Sequence, residues 1–267
     1  MPPDKLFGCL AAALILAGFP SGARGAGPGL PETSSLSRPV PAGEQPGAPL
    51  TSAATPEEAR RALESREPKL PQAGDARPAA LLELARLGFI GGLDGNKPDR
   101  QKFRKKGRYY AEMFIKEQPR RVEGYYWLAL NLGGLAEIAG VREGLRLVPQ
   151  MMENLQTALK LNETYDAAGP HRVLGRIYFE APGWPLSVGN INKSLDHLRA
   201  AVRLAPENCT NHLYLAETLL RLGKREEGRQ ELERVLTAPH HALSPRDLAA
   251  DRRDAQALLK KFKSTGP

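Results

Sequence analysis

Cysteine is scarce: the 267 residues hold two, Cys9 and Cys209. No CxxC pair, no HExxH helix and no Gly-rich phosphate loop occurs in the chain. Those absences exclude the common zinc modules, zinc-dependent hydrolases and nucleotide cradles. Cys209 and His212 lie three apart, but two ligands do not make a zinc site, which takes three or four. No metal and no cofactor are therefore expected. Aromatic residues are few as well, at 6%, and no nucleic-acid-binding motif accompanies the basic residues. The net charge of +8 thus points to anionic lipid or an acidic protein and not to nucleic acid.

Long hydrophobic runs are also lacking. The apolar stretch Leu6–Phe19 falls short of the roughly 20 residues that a membrane-spanning helix needs. Lys5 before it and Pro20, Ser21-Gly22-Ala23 after it give the form of a secretory signal over residues 1–26. Leu6-Phe7-Gly8-Cys9 has the look of a lipidation box, but the apolar run follows Cys9 instead of preceding it. The expectation is a cleaved signal and a periplasmic or secreted protein, with an uncleaved membrane anchor as the alternative. Cleavage leaves Cys209 alone, so no intramolecular disulfide staples the fold.

What is present is helical. Residues 27–54 are rich in Pro, Gly, Ser and Ala, too poor in large apolar groups to offset ordering entropy. Thr55-Pro56-Glu57-Glu58 reads as a helix start, with Thr as cap and Glu closing a capping box, for a short helix from Pro56 to about Arg66. Lys69–Arg77 reads as a second linker. The sequence thus divides into a signal over 1–26, a linker with a short helix over 27–77, and a helical domain over 78–267. Helices are predicted near 79–90, 98–116, 121–139 and 142–161, with a break at Gly140 and a bend at Pro149. The basic stretch of the second of these, Lys97 to Arg108, reads as a solvated face.

Between Gly169 and Pro206 the pattern is helix, Pro/Gly-rich loop, helix. Ile191, Leu195, Leu198 and Val202 recur at helical spacing, with Asn190 as N-cap. Ala201-Val202-Arg203-Leu204 aligns with Ala158-Leu159-Lys160-Leu161, and Leu130, Leu174 and Leu215 align in turn. Ala201 to Val235 spans 34 residues, the period of a tetratricopeptide repeat. Leu174 to Ala201 is 27 residues and Leu130 to Ala158 is 28, against 20 from Leu215 to Val235. Two units therefore carry inserts of about seven or eight residues. The fold class is all-α, a tetratricopeptide-like α-solenoid closed by a C-terminal capping helix from Pro245, with Ser244-Pro245-Arg246-Asp247 as its cap and Leu248, Ala255, Leu258, Leu259 and Phe262 on its apolar side.

No catalytic constellation assembles, and the protein is read as non-enzymatic. Glu163, Asp166 and His171 could be drawn as an acid/base set, but they sit where a repeat connector places its capping groups. Trp184 is singled out, a large aromatic in a Pro/Gly loop, either a partner anchor or a lid folded over its own helices. Arg172 and Arg176, one turn apart, suit a carboxylate on a ligand or partner, or pair with Asp166 and Glu180.

The segment 149–206 resembles the T component family (TatT) of tripartite ATP-independent periplasmic (TRAP) transporters. The resemblance rests on Leu161, Tyr165, Gly169, Pro170, Arg172, Leu174, Gly175, Tyr178, Pro182, Gly183 and Gly189. It departs at Asn162, where an acid is usual, and at Trp184-Pro185. It implies a periplasmic helical scaffold that pairs with the transporter's solute-binding protein, forms a trimer and holds a small organic ligand. Under that reading a closed apolar pocket near Trp184, Tyr178 and Tyr126 is expected. An envelope-assembly adaptor would instead show an open polar groove lined by Asn131, Asn211 and Arg172. The candidate binding residues are thus Tyr126, Trp127, Asn131, Arg172, Arg176, Tyr178, Trp184, Asn190 and Asn211.

Overall fold

The computed structural model describes residues 55–237 and 245–264. Thr55 caps the first helix, α1 (Pro56–Arg66), as its sequence predicts. Its hydroxyl accepts from the Glu58 N–H, and the Glu58 carboxylate accepts from the Thr55 N–H. The helices that follow are α2 (Ala76–Gly91), α3 (Lys97–Glu117), α4 (Val122–Ala139), α5 (Val141–Leu161), α6 (Tyr165–Glu180), α7 (Ile191–Leu204), α8 (Cys209–Arg221), α9 (Arg225–Thr237) and α10 (Pro245–Ser264). Each packs on its sequence neighbour. The even-numbered helices also meet in succession, α2 on α4, α4 on α6, α6 on α8 and α8 on α10. Neighbour-only contact with one inner row is the geometry of a solenoid of helical hairpins. Leu248 and Ala255 of α10 are buried against the last unit, so α10 covers the end of the stack. Its cap sequence before Pro245 lies outside the described residues.

Two of the sequence expectations need correction here. Among the described residues the packed body reaches back to Pro56, ahead of the expected start at Pro78. Ala59 and Leu63 of α1 are fully buried in the first core. Polar ties hold the same segment: Lys102 to Glu64 at 2.9 Å, the Tyr110 hydroxyl donating to Glu67 at 2.6 Å, and Lys106 to Glu67. The stretch after it is no free linker either, since Arg77 pairs with Glu117 at 2.7 Å and donates to the Pro71 carbonyl. Much of the basic run on α3 is thereby consumed in ion pairs, Arg100 with Glu137 and Arg108 with Glu112 included. Arg104 points inward, fully buried with its guanidinium 4.1 Å from the Phe89 ring centre, and burial pulls its pKa down to about 9.

The second correction concerns the inserts. In the third unit the extra residues do form a connection, between α6 and α7. In the second unit they lengthen the helices, 18 residues in α4 and 21 in α5 against 13 each in α8 and α9. Gly140 alone separates α4 from α5, at φ +83°, a backbone setting open to glycine and strained for other residues. Pro149 lies inside α5 without ending it.

The apolar core falls into two clusters, one built from α1 to α6 and one from α7 to α10. They meet where α6 crosses α7. There Gly175 lets the backbone approach so closely that a Cβ would sit 2.6 Å from Leu198 Cγ. Between the clusters lies a layer of buried polar groups, and that layer and the loop beside it hold most of the candidate residues.

Candidate functional site

Tyr165 opens α6, and Asp166, Ala167 and Ala168 follow it at φ 52°, 51° and 61°. This is a turn of left-handed backbone made by non-glycine residues, each at a conformational cost. Its carbonyls explain how it persists. Arg172 Nη1 donates to the carbonyls of Asp166 at 3.2 Å and Ala167 at 3.1 Å, and Asn211 Nδ2 donates to Ala167 at 3.1 Å. Arg172 Nη2 pairs with the Asp166 carboxylate at 2.8 Å, and Tyr126 donates its hydroxyl proton to the same oxygen. Burial pushes the Asp166 carboxyl up and Arg172 pulls it back; burial also lifts the Tyr126 phenol well above its ordinary value. Arg172, Asp166, Tyr126 and Asn211 are all under 7% exposed, so the network faces no ligand. It ties α4, α6 and α8 together at the unit boundary.

The same holds for most of the remaining candidates. Trp127 is buried, its ring N–H on the Tyr165 hydroxyl at 3.1 Å. Asn131 is fully buried and donates to the Ala85 and Trp127 carbonyls. Arg176 is buried, paired with Glu180 at 2.7 Å and with Glu217. Asn190 caps α7, its side chain accepting from the N–H groups of Asn192 and Lys193. The polar groove expected along Asn131, Asn211 and Arg172 is therefore not formed: all three are inside. Nor do Trp184, Tyr178 and Tyr126 wall one pocket, because Tyr126 is in the core while Trp184 is 90% exposed. The sequence had left Arg172 and Arg176 open between a ligand and the partners Asp166 and Glu180, and the structure pairs them with the latter. The drawn acid/base set is likewise not assembled. His171 reaches Glu163 at 3.4 Å and shares a hydrogen bond with His197 at 3.0 Å, whereas Asp166 turns inward to Arg172.

Two surfaces remain. The first is the connection Ala181–Asn190. A parallel bridge between Gly183 and Gly189 closes its neck. The N–H of Gly189 donates to Pro182 at 2.8 Å, and that of Asn190 to Tyr178 at 2.9 Å. At Gly189 a Cβ would stand 2.0 Å from the Ala181 carbonyl, so only glycine fits. Trp184 and Leu186, 90% and 76% exposed, project from this closed loop. Below it Tyr178 stacks on His197, and Lys193 lies over the Tyr178 ring. The second surface is a groove of about 310 Å³ between α7, α8 and α9. Val202, Leu215 and Leu219 supply its apolar floor; Arg199 and Arg203 stand on one wall, Glu227 and Glu231 on the other, with Arg199 paired across to Glu227 at 2.9 Å and Glu231 paired with His212 and Arg234. Residues four apart on a helix share a face, which lines the walls with opposite charge. Leu186 and this groove escaped the sequence reading. A second apolar residue beside Trp184 was visible in the loop, whereas the groove arises from the packing of three helices.

The sequence model for the regulator of microtubule dynamics protein 1-3 family matches residues 51–185 of this chain. The chain belongs to that family. The regulator of microtubule dynamics match takes in α1 through α6 and ends at Pro185, beside the exposed tryptophan. Among solved structures, a thermophilic tetratricopeptide protein of Thermus thermophilus is similar, with a TM-score of 0.54 and 23% identity over 76% of this chain and 92% of the other. That likeness shows the tetratricopeptide-like fold. No curated protein matches the chain. The tetratricopeptide part of the sequence resemblance is thus supported, while nothing in these comparisons singles out the transporter T component.

Proposed function

We propose that this protein is a non-enzymatic tetratricopeptide-like scaffold, exported by its N-terminal segment, that holds a protein partner in the groove between α7, α8 and α9. One observation carries the reading: an apolar floor of Val202, Leu215 and Leu219 between a basic and an acidic wall. Such a groove accepts an extended or helical segment that is apolar on one side and charged on its flanks, since burial supplies affinity and paired charges fix register. Folds of stacked helical hairpins generally serve protein–protein contact, which supports the same conclusion.

The narrower form, a TRAP-type solute receptor with its organic ligand and a trimeric assembly, rests on the motif around Gly169 and Arg172. In this chain Arg172 and Gly169 serve the unit junction, against Asp166 and Tyr126, and so lend no support to the ligand part of that reading. The family's printed name supplies a second reading, an action on microtubules, which the net charge of +8 favours for an acidic filament surface.

Photo-crosslinking separates these readings. A crosslinking side chain at exposed Gln230, in the groove, is compared with one at exposed Gln156 on α5. The expected result is a discrete adduct from an envelope extract at position 230 alone, lost in the Arg203→Glu variant. Equal labelling at both positions, or adducts indifferent to Arg203→Glu, would overturn the groove assignment. Recovery of a solute-binding protein in that adduct supports the transport form. Salt-sensitive co-sedimentation with polymerised tubulin supports the microtubule reading.

A further inference from the structure

The loop between α6 and α7 has a chemistry of its own, independent of the groove. From Ala181 to Asn192 the chain carries no acidic or basic side chain. Pro182 and Pro185 have no N–H to offer. The N–H groups of Leu186 and Ser187 both donate to the Gly183 carbonyl, at 3.1 and 3.3 Å, and that of Gly189 donates to Pro182. The loop therefore satisfies these backbone donors within itself. Unpaired peptide groups are what make irregular backbone costly in hydrocarbon, so this internal bonding lowers the cost of leaving water. At the tip stand an indole and a leucine side chain, almost fully exposed. Tryptophan favours the zone where headgroups meet acyl chains.

The charge around the base complements that tip. Lys193 lies in the first turn of α7, over Tyr178. Arg221 reaches the end of α6, its guanidinium donating to the Phe179 carbonyl at 2.6 Å and lying over the Phe179 ring. Glu180, the acid nearest the loop in sequence, is turned inward and paired with Arg176. A protein hot spot is an apolar anchor within a ring of polar contacts made by the same surface. Here the anchors stand on an uncharged loop, with Lys193 and Arg221 set back at its base and Asp196 one turn beyond Lys193. That order, apolar tip then basic collar, matches the order of layers in an anionic bilayer.

We propose that the Ala181–Asn190 loop docks this protein onto an anionic lipid surface, with Trp184 and Leu186 entering the headgroup–acyl boundary and Lys193 and Arg221 facing the phosphates. The test uses the full chain with vesicles of phosphatidylcholine alone and of phosphatidylcholine with phosphatidylglycerol. Trp127, the other tryptophan, is buried, so changes in emission report Trp184. The expected result is a blue shift on the anionic vesicles and quenching by acyl-brominated lipid. Partitioning should fall roughly tenfold in Trp184→Ser/Leu186→Ser, with the folded signal unchanged. Direct quenching reads the loop itself, whatever the N-terminal segment contributes to binding. Vesicle-bound protein whose Trp184 emission is neither shifted nor quenched would overturn the proposal. So would equal binding to the zwitterionic vesicles. Loss of a protein crosslink in the Trp184→Ser variant, with vesicle binding intact, would assign the loop to a protein pocket instead.

Discussion

Glycine in a helix ordinarily destabilises, and Ala167 offers a place where it should do the opposite. Ala167 sits at φ 51°, ψ 54° in the midst of a segment otherwise counted as helix. An L-residue in left-handed backbone pays roughly 1–2 kcal/mol that glycine does not. Glycine loses some of that advantage, about 0.4–1 kcal/mol, because it frees the unfolded chain. Ala167→Gly should therefore stabilise the protein by about 0.5–1 kcal/mol. The Ala167 carbonyl, which accepts from Arg172 and Asn211, is untouched by the change. Were the residue right-handed, the same substitution would cost about 1 kcal/mol. The two outcomes differ in sign, so modest precision separates them. Urea titration at constant m reads the difference, and the melting temperature should rise by about 2–4 °C per kcal/mol for a domain of this size. Gln156→Gly on the exposed face of α5 is the control and should lose about 1 kcal/mol. A fall in stability for Ala167→Gly equal to that of Gln156→Gly would refute the left-handed turn and the account of Arg172 and Asn211 built on it.

Other perturbations test the junction from different sides. Arg172→Met leaves the Asp166 carboxylate buried without its ion-pair partner and should cost about 3–5 kcal/mol by denaturant titration, with Arg172→Met/Asp166→Asn regaining part of the loss. Gly175→Ala should cost about 1–3 kcal/mol, because the new methyl meets Leu198 at 2.6 Å; Leu198→Ala added to it should cost less than Leu198→Ala alone. Burial, with the neighbouring His171, pulls the His197 pKa from 6.5 to about 4. The unfolded chain therefore binds the extra proton first, and this contribution to stability is full above about pH 6.5 and lost as pH falls toward 4. At pH 5 the linkage amounts to about 2 kcal/mol, or roughly 1 kcal/mol after allowing for solvent screening of a partly exposed ring. His197→Phe should shrink the loss between pH 7 and pH 5 by that amount, and an identical pH profile in the variant would refute the shift.

The helices were legible where local rules act alone. The Thr55–Glu58 box, the Asn190 cap and the helix end near residue 90 follow from which groups can satisfy orphan N–H and C=O groups, and all three stand where the sequence puts them. What was not legible depends on partners remote in the chain. Asp166-Ala167-Ala168 is composed of residues that accept a helix, and only Arg172 and Asn211, from α6 and α8, hold their carbonyls in the other hand. The pairing of Arg172 with Asp166 was legible as one of two alternatives, but Tyr126 and Asn211, each about 40 residues away in sequence, complete the buried network and decide between them. The motif that suggested a ligand site holds Arg172, which closes one hairpin against the next, so its guanidinium faces Asp166, Tyr126 and Asn211 and not a ligand. Recognition is then left to what the packing does not use. On the α6–α9 half of the chain that is the apolar floor of the groove, with Arg203 beside it, and the exposed Trp184–Leu186 tip. A motif conspicuous in sequence and a surface available in space are separate things in this fold, and the mutations that unfold the protein should seldom be the ones that release its partners.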